Sequence, residues 1–278
     1  LNVHRHTVDT HLGAVPVTDT QPEGGSGPVL MLLHGFLCDS TFWHHLIEVL
    51  PSGPRIVAPD LAAFGRSGTD EREVDFNHLA EVLEALRLAM HITRIQAVAQ
   101  DLGCLVLLRY TSLYQHHVDR IVWFSPSFYP DQFMPRGLRL WRGRLTGPAM
   151  NGILFGQAVK AYFRKASAGA SHDADACAVA ALDTYGPPEG RRLLRRWIHW
   201  GEPNALFWDH PRMLRNVASP TLVVWGGANP WVHFSQIERL GRHVEDIKIV
   251  ALTGCSHFPS MDNPERVGRE VAGFLSLA

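Results

Sequence analysis

The chain has 278 residues, 46% of them apolar and 19% charged, and it carries a net charge of −1 with a pI near 7.0. A chain of this length builds one sizeable domain with room for an insertion. Its charge balance excludes the basic footprint of a nucleic-acid-binding protein or of one held on an anionic membrane. Cys38, Cys104, Cys177 and Cys255 form no Cys-x-x-Cys pair, so free thiols and a cytoplasmic location are expected. No run of about 18 apolar residues predicts a membrane span, and no histidine or cysteine spacing suits a metal.

In chain order, residues 4–9 and 13–19 read as a hairpin around His11-Leu12-Gly13-Ala14, followed by a Gly- and Pro-rich loop over 21–28. The apolar run 29–33 ends in His34-Gly35-Phe36 and predicts a buried parallel strand. Ser40 suits the start of a helix reaching 50, and residues 55–58 form the next strand. That strand leads into Pro59-Asp60-Leu61-Ala62-Ala63-Phe64-Gly65-Arg66-Ser67-Gly68. Leu79, Leu83, Leu86 and Met90 recur at helical spacing and predict an amphipathic helix over 76–91.

The stretch Val98-Ala99-Gln100-Asp101-Leu102-Gly103-Cys104 carries the chemistry. An apolar strand, 95–99, stops at an acid, and an apolar helical pattern runs from Leu105 to about Tyr114. Strand, sharp turn and helix describe an elbow that lifts one side chain above the end of a sheet, here Asp101. A further strand is expected over 120–124, then two more over 221–225 and 247–252 around a helix at 235–244, with a closing helix over 265–277. This alternation predicts a mostly parallel sheet with helices on both faces.

Between residues 128 and 215 the strand rhythm gives way to helical patterns over 138–145, 149–163, 173–182 and 189–200, with a short one near 211–214. We therefore expect a helical cap over 128–215 inserted between two parts of an α/β core, 1–127 and 216–278. The cap is rich in aromatics: Trp141, Phe155, Tyr162, Phe163, Tyr185, Trp197, Trp200, Phe207 and Trp208. Most must pack the cap itself, and a few would line an apolar pocket above the sheet. The Arg191-Arg192-Leu193-Leu194-Arg195-Arg196 stretch reads as a solvated face.

His34-Gly35-Phe36, the stretch from Asp60 to Ser67, the elbow at Asp101, Gly254-Cys255-Ser256-His257-Phe258 and Met261-Asp262-Asn263-Pro264-Glu265 occur in the order of the α/β-hydrolase fold, which the whole chain resembles. That fold is an eight-stranded, mostly parallel sheet with helices on both faces and an inserted cap. Aspartate at the elbow is similar to the epoxide hydrolase and haloalkane dehalogenase branch, whereas serine marks esterases. The resemblance implies a cofactor-independent hydrolase acting on a small apolar or partly apolar substrate, and it leaves the oligomeric state open. A carboxylate is already ionised at pH 7 and suits displacement at saturated carbon, where a serine needs a base and suits carbonyls. Asp101 would form an alkyl ester on opening an epoxide, and water activated by His257 would cleave that ester.

The resemblance also implies backbone oxyanion donors at Phe36 and Leu102, and a cap tyrosine (Tyr129, Tyr162 or Tyr185) that protonates the epoxide oxygen. His34, Gln100, Trp141 and Trp231 are the remaining candidates for the pocket, His34 chiefly as a structural support for its loop. The pairs His44-His45 and His116-His117 read as surface histidines. Two departures matter. Gly226-Gly227-Ala228-Asn229-Pro230-Trp231-Val232 places Asn229 where the family carries the acid that partners the histidine. The alternative place for that acid, after the sixth strand, is near Ser125, with Asp131 a few residues on. Leu102 stands where many dehalogenases have a halide-holding tryptophan, and Leu37 where many epoxide hydrolases have proline. Alternative expectations are therefore a dehalogenase, a non-hydrolytic isomerase or cyclase acting on an epoxide, or a ligand receptor whose triad has decayed.

Overall fold

Strands without polar alternation lie where both faces are covered. In a computed structural model, which describes residues 2–21, 23–24, 28–61, 75–129, 131, 136–169, 171–199 and 209–277, the buried runs β3 (Val29–Leu33), β4 (Ile56–Pro59) and β5 (Ile95–Gln100) form the middle of one eight-stranded sheet. β6 (Val118–Phe124), β7 (Thr221–Gly226) and β8 (Ile247–Leu252) continue it on one side, and the hairpin β1 (His4–Thr10) and β2 (Gly13–Asp19) closes the other. The order is β1-β2-β4-β3-β5-β6-β7-β8. Pairing is antiparallel at β1–β2 and β2–β4 and parallel elsewhere. This is the α/β-hydrolase fold.

Helices cover both faces. α1 (His44–Val49) follows a single 3-10 turn, Ser40–Trp43, so the expected helix is split in two. α2 (Phe76–Ala89) is capped by Asp75 through His78 N, and Leu79, Leu83 and Leu86 on its apolar stripe are buried. α3 (Leu102–Tyr114) starts three residues before the helical pattern suggested, directly after Asp101.

Between β6 and β7 the described residues form α4 (Arg136–Arg142), α5 (Gly147–Asn151), α6 (Phe155–Ala166), α7 (Ser171–Tyr185), α8 (Pro188–His199) and α9 (His210–Arg215). The helix expected over 149–163 is two helices, broken where Gly152 N and Leu154 N both turn back to Ala149 O. The chain closes with α10 (Phe234–Leu240), α11 (Pro259–Asp262) and α12 (Pro264–Leu275). Residues 62–68 of the loop after β4, and Trp200, Phe207 and Trp208, lie outside the described residues.

The β5–α3 turn is pressed against the end of β3. A Cβ at Gly103 would meet Leu33 O and lie 2.6 Å from His34 O, and one at Gly35 would lie 2.9 Å from Asp101 Cβ. Both neighbours are rigid, so the turn tolerates hydrogen alone at these positions. Gly103→Ala is therefore expected to cost about 2 kcal/mol and lower Tm by roughly 4–8 °C in a circular-dichroism melt; an unchanged Tm would mean that the turn moves away freely.

Candidate active site

Asp101 holds φ 51° and ψ −114°, a backbone conformation that L-residues seldom adopt. Its N–H donates to Phe124 O at 3.1 Å and its carbonyl accepts from Cys104 N at 3.0 Å, so strand and helix fix it from both sides. The side chain stands at the end of β5, 22% exposed, with Oδ2 accepting from Phe36 N at 3.3 Å. Its Oδ1 lies 3.7 Å from His257 Nε2. Burial pushes this carboxyl towards its neutral form, but the His257 ring and the backbone N–H groups of Phe36 and Leu102 outweigh that, holding its pKa below the ordinary value of 3.8. Asp101 is thus an ionised carboxylate at neutral pH.

His257 is buried in the loop after β8, with its ring beside Trp231 (4.8 Å between centroids) and Phe258 (5.3 Å). Gln100 Nε2 donates to His257 O at 3.0 Å and so ties this loop to the end of β5. On the far side of the ring, Asn229 Nδ2 lies 3.2 Å from His257 Nδ1 and donates to Ser125 Oγ at 3.0 Å. Asn229 Oδ1 accepts from Trp231 N at 3.0 Å and from Val232 N at 3.1 Å. Two backbone N–H groups can face only the carbonyl end of the amide, so the amide's orientation is determined. Its N–H therefore points at Nδ1, which must accept, and the neutral imidazole carries its proton on Nε2, facing Asp101.

The two places where a partner acid was sought are thus filled by Asn229 and Ser125, hydrogen-bonded to each other. Asp131 does not fold back: it pairs with Arg239 at 3.0 Å and its side chain is 60% exposed. No metal-binding group of three or more His, Cys, Asp or Glu residues occurs among the described residues.

Of the three candidate tyrosines, Tyr162 on α6 packs on Phe36, whose N–H reaches the Asp101 carboxylate. Burial and the nearby Asp101 charge push its phenol pKa well up, so it stays protonated. The Tyr162 ring stacks on Trp231 (5.0 Å, 12°) and meets Phe36 edge-on at 5.9 Å. Tyr129 instead contacts His243 Nδ1 at 3.1 Å under Arg239. Tyr185 lines a small cavity with Cys38, Phe163 and Cys177.

His34 accepts from Leu61 N at Nε2 (3.0 Å) and lies 3.0 Å from Gly35 O at Nδ1. Burial lowers its pKa despite nearby Asp60, and it serves as a support for its loop. Trp141 packs inside the insertion, on Phe155 at 5.9 Å and against Asn151 at 3.0 Å. The sequence reasoning assigned no role to Asp262, which accepts from Ser256 N (2.6 Å), Ser167 Oγ (2.7 Å) and Ala168 N (2.8 Å). Its position five residues after His257 was the available signal.

The alpha/beta hydrolase fold family model matches residues 28–264, and the chain belongs to that family. It is 22% identical over 264 residues to epoxide hydrolase 3 of Xenopus tropicalis, covering 89% of this chain and 71% of that protein. A haloalkane dehalogenase of Mesorhizobium japonicum is 35% identical over 94 residues, which is 32% of this chain and 30% of that one. Among solved structures, 2-hydroxy-6-oxo-6-phenylhexa-2,4-dienoate hydrolase of a Rhodococcus strain superposes with a TM-score of 0.82 at 18% identity, covering 99% and 100% of the two chains.

The lowered Asp101 pKa links stability to pH. Ionised Asp101 stabilises the fold above the ordinary aspartate pKa, and this contribution is lost as pH falls through its depressed folded-state value. In urea unfolding between roughly pH 3 and pH 7, the stability of wild type relative to Asp101→Asn should fall as the pH is lowered. A difference that stays constant would contradict the donor-held carboxylate.

Proposed function

We infer that this α/β-hydrolase opens epoxides through Asp101. The observation that carries the reading is the Asp101 carboxylate lifted on the elbow, 3.3 Å from Phe36 N and 3.7 Å from His257 Nε2, with the Tyr162 ring packed on Phe36 and Trp231 beside it. Asp101 attacks an epoxide carbon, the C–O bond breaks towards the ring oxygen, and Tyr162 supplies the proton, leaving an alkyl ester on Asp101. Phe36 N, which donates to the Asp101 carboxylate at 3.3 Å, and the adjacent Leu102 N are the donors available for the oxyanion when water later attacks that ester. Phe36, Tyr162, Trp231 and Phe258 form an aromatic wall around His257 and Asp101, which suits a small apolar or partly apolar substrate. The dehalogenase reading is weaker, because Leu102 offers no side-chain donor for a departing halide.

Ester cleavage is the slow half. Water must be deprotonated, and with Nε2 already protonated and Nδ1 facing the Asn229 amide, His257 is a poor base for it. In a serine-protease triad the same acid-to-amide change costs about 10⁴-fold in kcat through the wrong tautomer.

In single-turnover reaction in ¹⁸O-water, the first product should carry no label, because its new oxygen comes from Asp101; label in that turnover would mean direct attack by water. Intact-protein mass should show the alkyl-enzyme in wild type and none in Asp101→Ala. Tyr162→Phe should slow adduct formation by about 10²-fold or more, while Tyr129→Phe and Tyr185→Phe leave it near the parental rate. Asn229→Asp should speed ester breakdown, since a carboxylate accepts Nδ1–H and frees Nε2 to take a proton from water.

A further inference from the structure

The site sets an acid and a base on either side of Phe36, yet its histidine is turned the wrong way to activate water. We propose that the substrates it turns over fastest are epoxides bearing their own hydroxyl group, which it isomerises to cyclic ethers with Asp101 as base and Tyr162 as acid. This rests on the assignment of Asp101 and Tyr162 made above.

The first support is the Ser125–Asn229–His257 chain. Both amide N–H groups of Asn229 are used, one on Ser125 Oγ (3.0 Å) and one on His257 Nδ1 (3.2 Å), while its oxygen is held by Trp231 N and Val232 N. A flip would set the amide's N–H groups against two backbone donors, so the ring has no route to the other tautomer short of breaking this network. His257 is left with an Nε2–H directed at Asp101 Oδ1, 3.7 Å away, and no closer hydrogen-bond partner among the described residues. It can steady the carboxylate, whether basic or protonated, but it takes no proton from water at either nitrogen. Ser125 and Asn229 are positioning residues in this account.

The second support is the proton path. The hydroxyl of the bound substrate gives its proton to Asp101 as its oxygen pair forms a bond to an epoxide carbon. The C–O bond at that carbon breaks, its electron pair goes to the epoxide oxygen, and Tyr162 protonates that oxygen. Tyr162, packed on Phe36 beside the Asp101 carboxylate, then recovers its proton from Asp101. The product is an isomer of the substrate, no water is consumed and nothing is oxidised or reduced. Proton transfer to a weakly basic carboxylate becomes feasible because it is concerted with protonation of the leaving oxygen.

The third support is the wall. Among the described residues, Phe36, Tyr162, Trp231 and Phe258 present a run of aromatic surface beside His257 and Asp101. A hydroxyl already attached to the substrate enjoys an effective molarity that free water lacks. The fold thus keeps the half-reaction Asp101 and Tyr162 can complete and hinders the one that needs a histidine base.

The test uses wild-type protein and two probes in ¹⁸O-water: 4,5-epoxypentan-1-ol, whose hydroxyl can close a five-membered ring, and 1,2-epoxyhexane, which lacks one. Unlabelled tetrahydrofurfuryl alcohol should form over many turnovers, at least about tenfold faster than diol from 1,2-epoxyhexane. Asp101→Ala should abolish it and Tyr162→Phe should slow it. Asn229→Asp should shift the hydroxy-epoxide product towards labelled triol, because His257 regains its base. Labelled triol as the main wild-type product overturns the proposal while leaving epoxide opening at Asp101 intact, and so does an Asp101 adduct from both probes without cyclic ether. Return of both epoxides unopened overturns the proposal and the epoxide reading together. An Asn229→Asp variant with the wild-type product ratio overturns the tautomer argument, and if that variant fails to fold, the wild-type product assay decides.

Discussion

The site depends on one close approach, that of the β5–α3 turn to the end of β3. Gly103 lies against the carbonyls of Leu33 and His34, and Gly35 lies against Asp101 itself. That contact holds Asp101 at φ 51° and carries its carboxylate over the end of the sheet, within 3.3 Å of Phe36 N. Strain of this kind costs of order 1–3 kcal/mol, and the buried parallel core beneath is what sustains it. The same approach aims a backbone N–H at the carboxylate, so the elbow side chain and its donor are positioned by one feature. Moving either glycine's neighbour would disturb both together.

Electrostatics then separates the two halves of any reaction here. The His257 ring and the backbone N–H groups of Phe36 and Leu102 overcome the burial of Asp101 and keep it charged. The Tyr162 phenol, buried beside that charge, keeps its proton. Each group is therefore in the protonation state that the proposed epoxide opening requires. The histidine side has no such charge to work with. An acid at position 229 would accept Nδ1–H and leave Nε2 open; the amide donates to Nδ1 instead and reverses the ring's polarity. A single oxygen-to-nitrogen exchange, with the backbone contacts at Trp231 and Val232 retained, leaves Nδ1 accepting and the Nε2 proton facing Asp101 without loss of packing.

Local signals made the frame legible. The apolar runs at 29–33 and 95–99, the strand-to-acid break at Asp101 and the late His257 motif placed the sheet, the elbow and the histidine before any coordinates. The amide at 229 was visible too, because the surrounding Gly226-Gly227-Ala228 and Val232 kept the motif recognisable. What stayed hidden needs three-dimensional register. Three tyrosines have equal standing by sequence, and only the fold shows that Tyr162 packs on Phe36 and Trp231 at the elbow while Tyr129 and Tyr185 lie elsewhere. Asp131 looked available and is drawn outward by Arg239, more than a hundred residues away in the chain. Trp141 looked like pocket lining and is consumed in packing against Phe155 and Asn151. The orientation of the Asn229 amide follows from two backbone donors that no sequence pattern specifies.

The acid and the histidine are also joined mechanically, and a carboxylate does the joining. Four residues beyond Tyr162, Ala166 O accepts from Phe258 N at 3.1 Å. Immediately after that, Ser167 Oγ and Ala168 N donate to Asp262, whose other oxygen accepts from Ser256 N at 2.6 Å. The end of α6 and the His257 loop are thus stitched together on both sides of the histidine. An ionised carboxylate suits this role because it has acceptor sites only, and all three groups that reach it are donors. An amide there would turn one of its N–H groups towards a donor and lose that contact. Tyr162 and His257 therefore hold a common position relative to Asp101, and displacement of the insertion's other helices need not separate them. Under the proposed epoxide opening, acid, base and donor must all meet one small ring, and a clamp between the helix that carries Tyr162 and the loop that carries His257 serves that need.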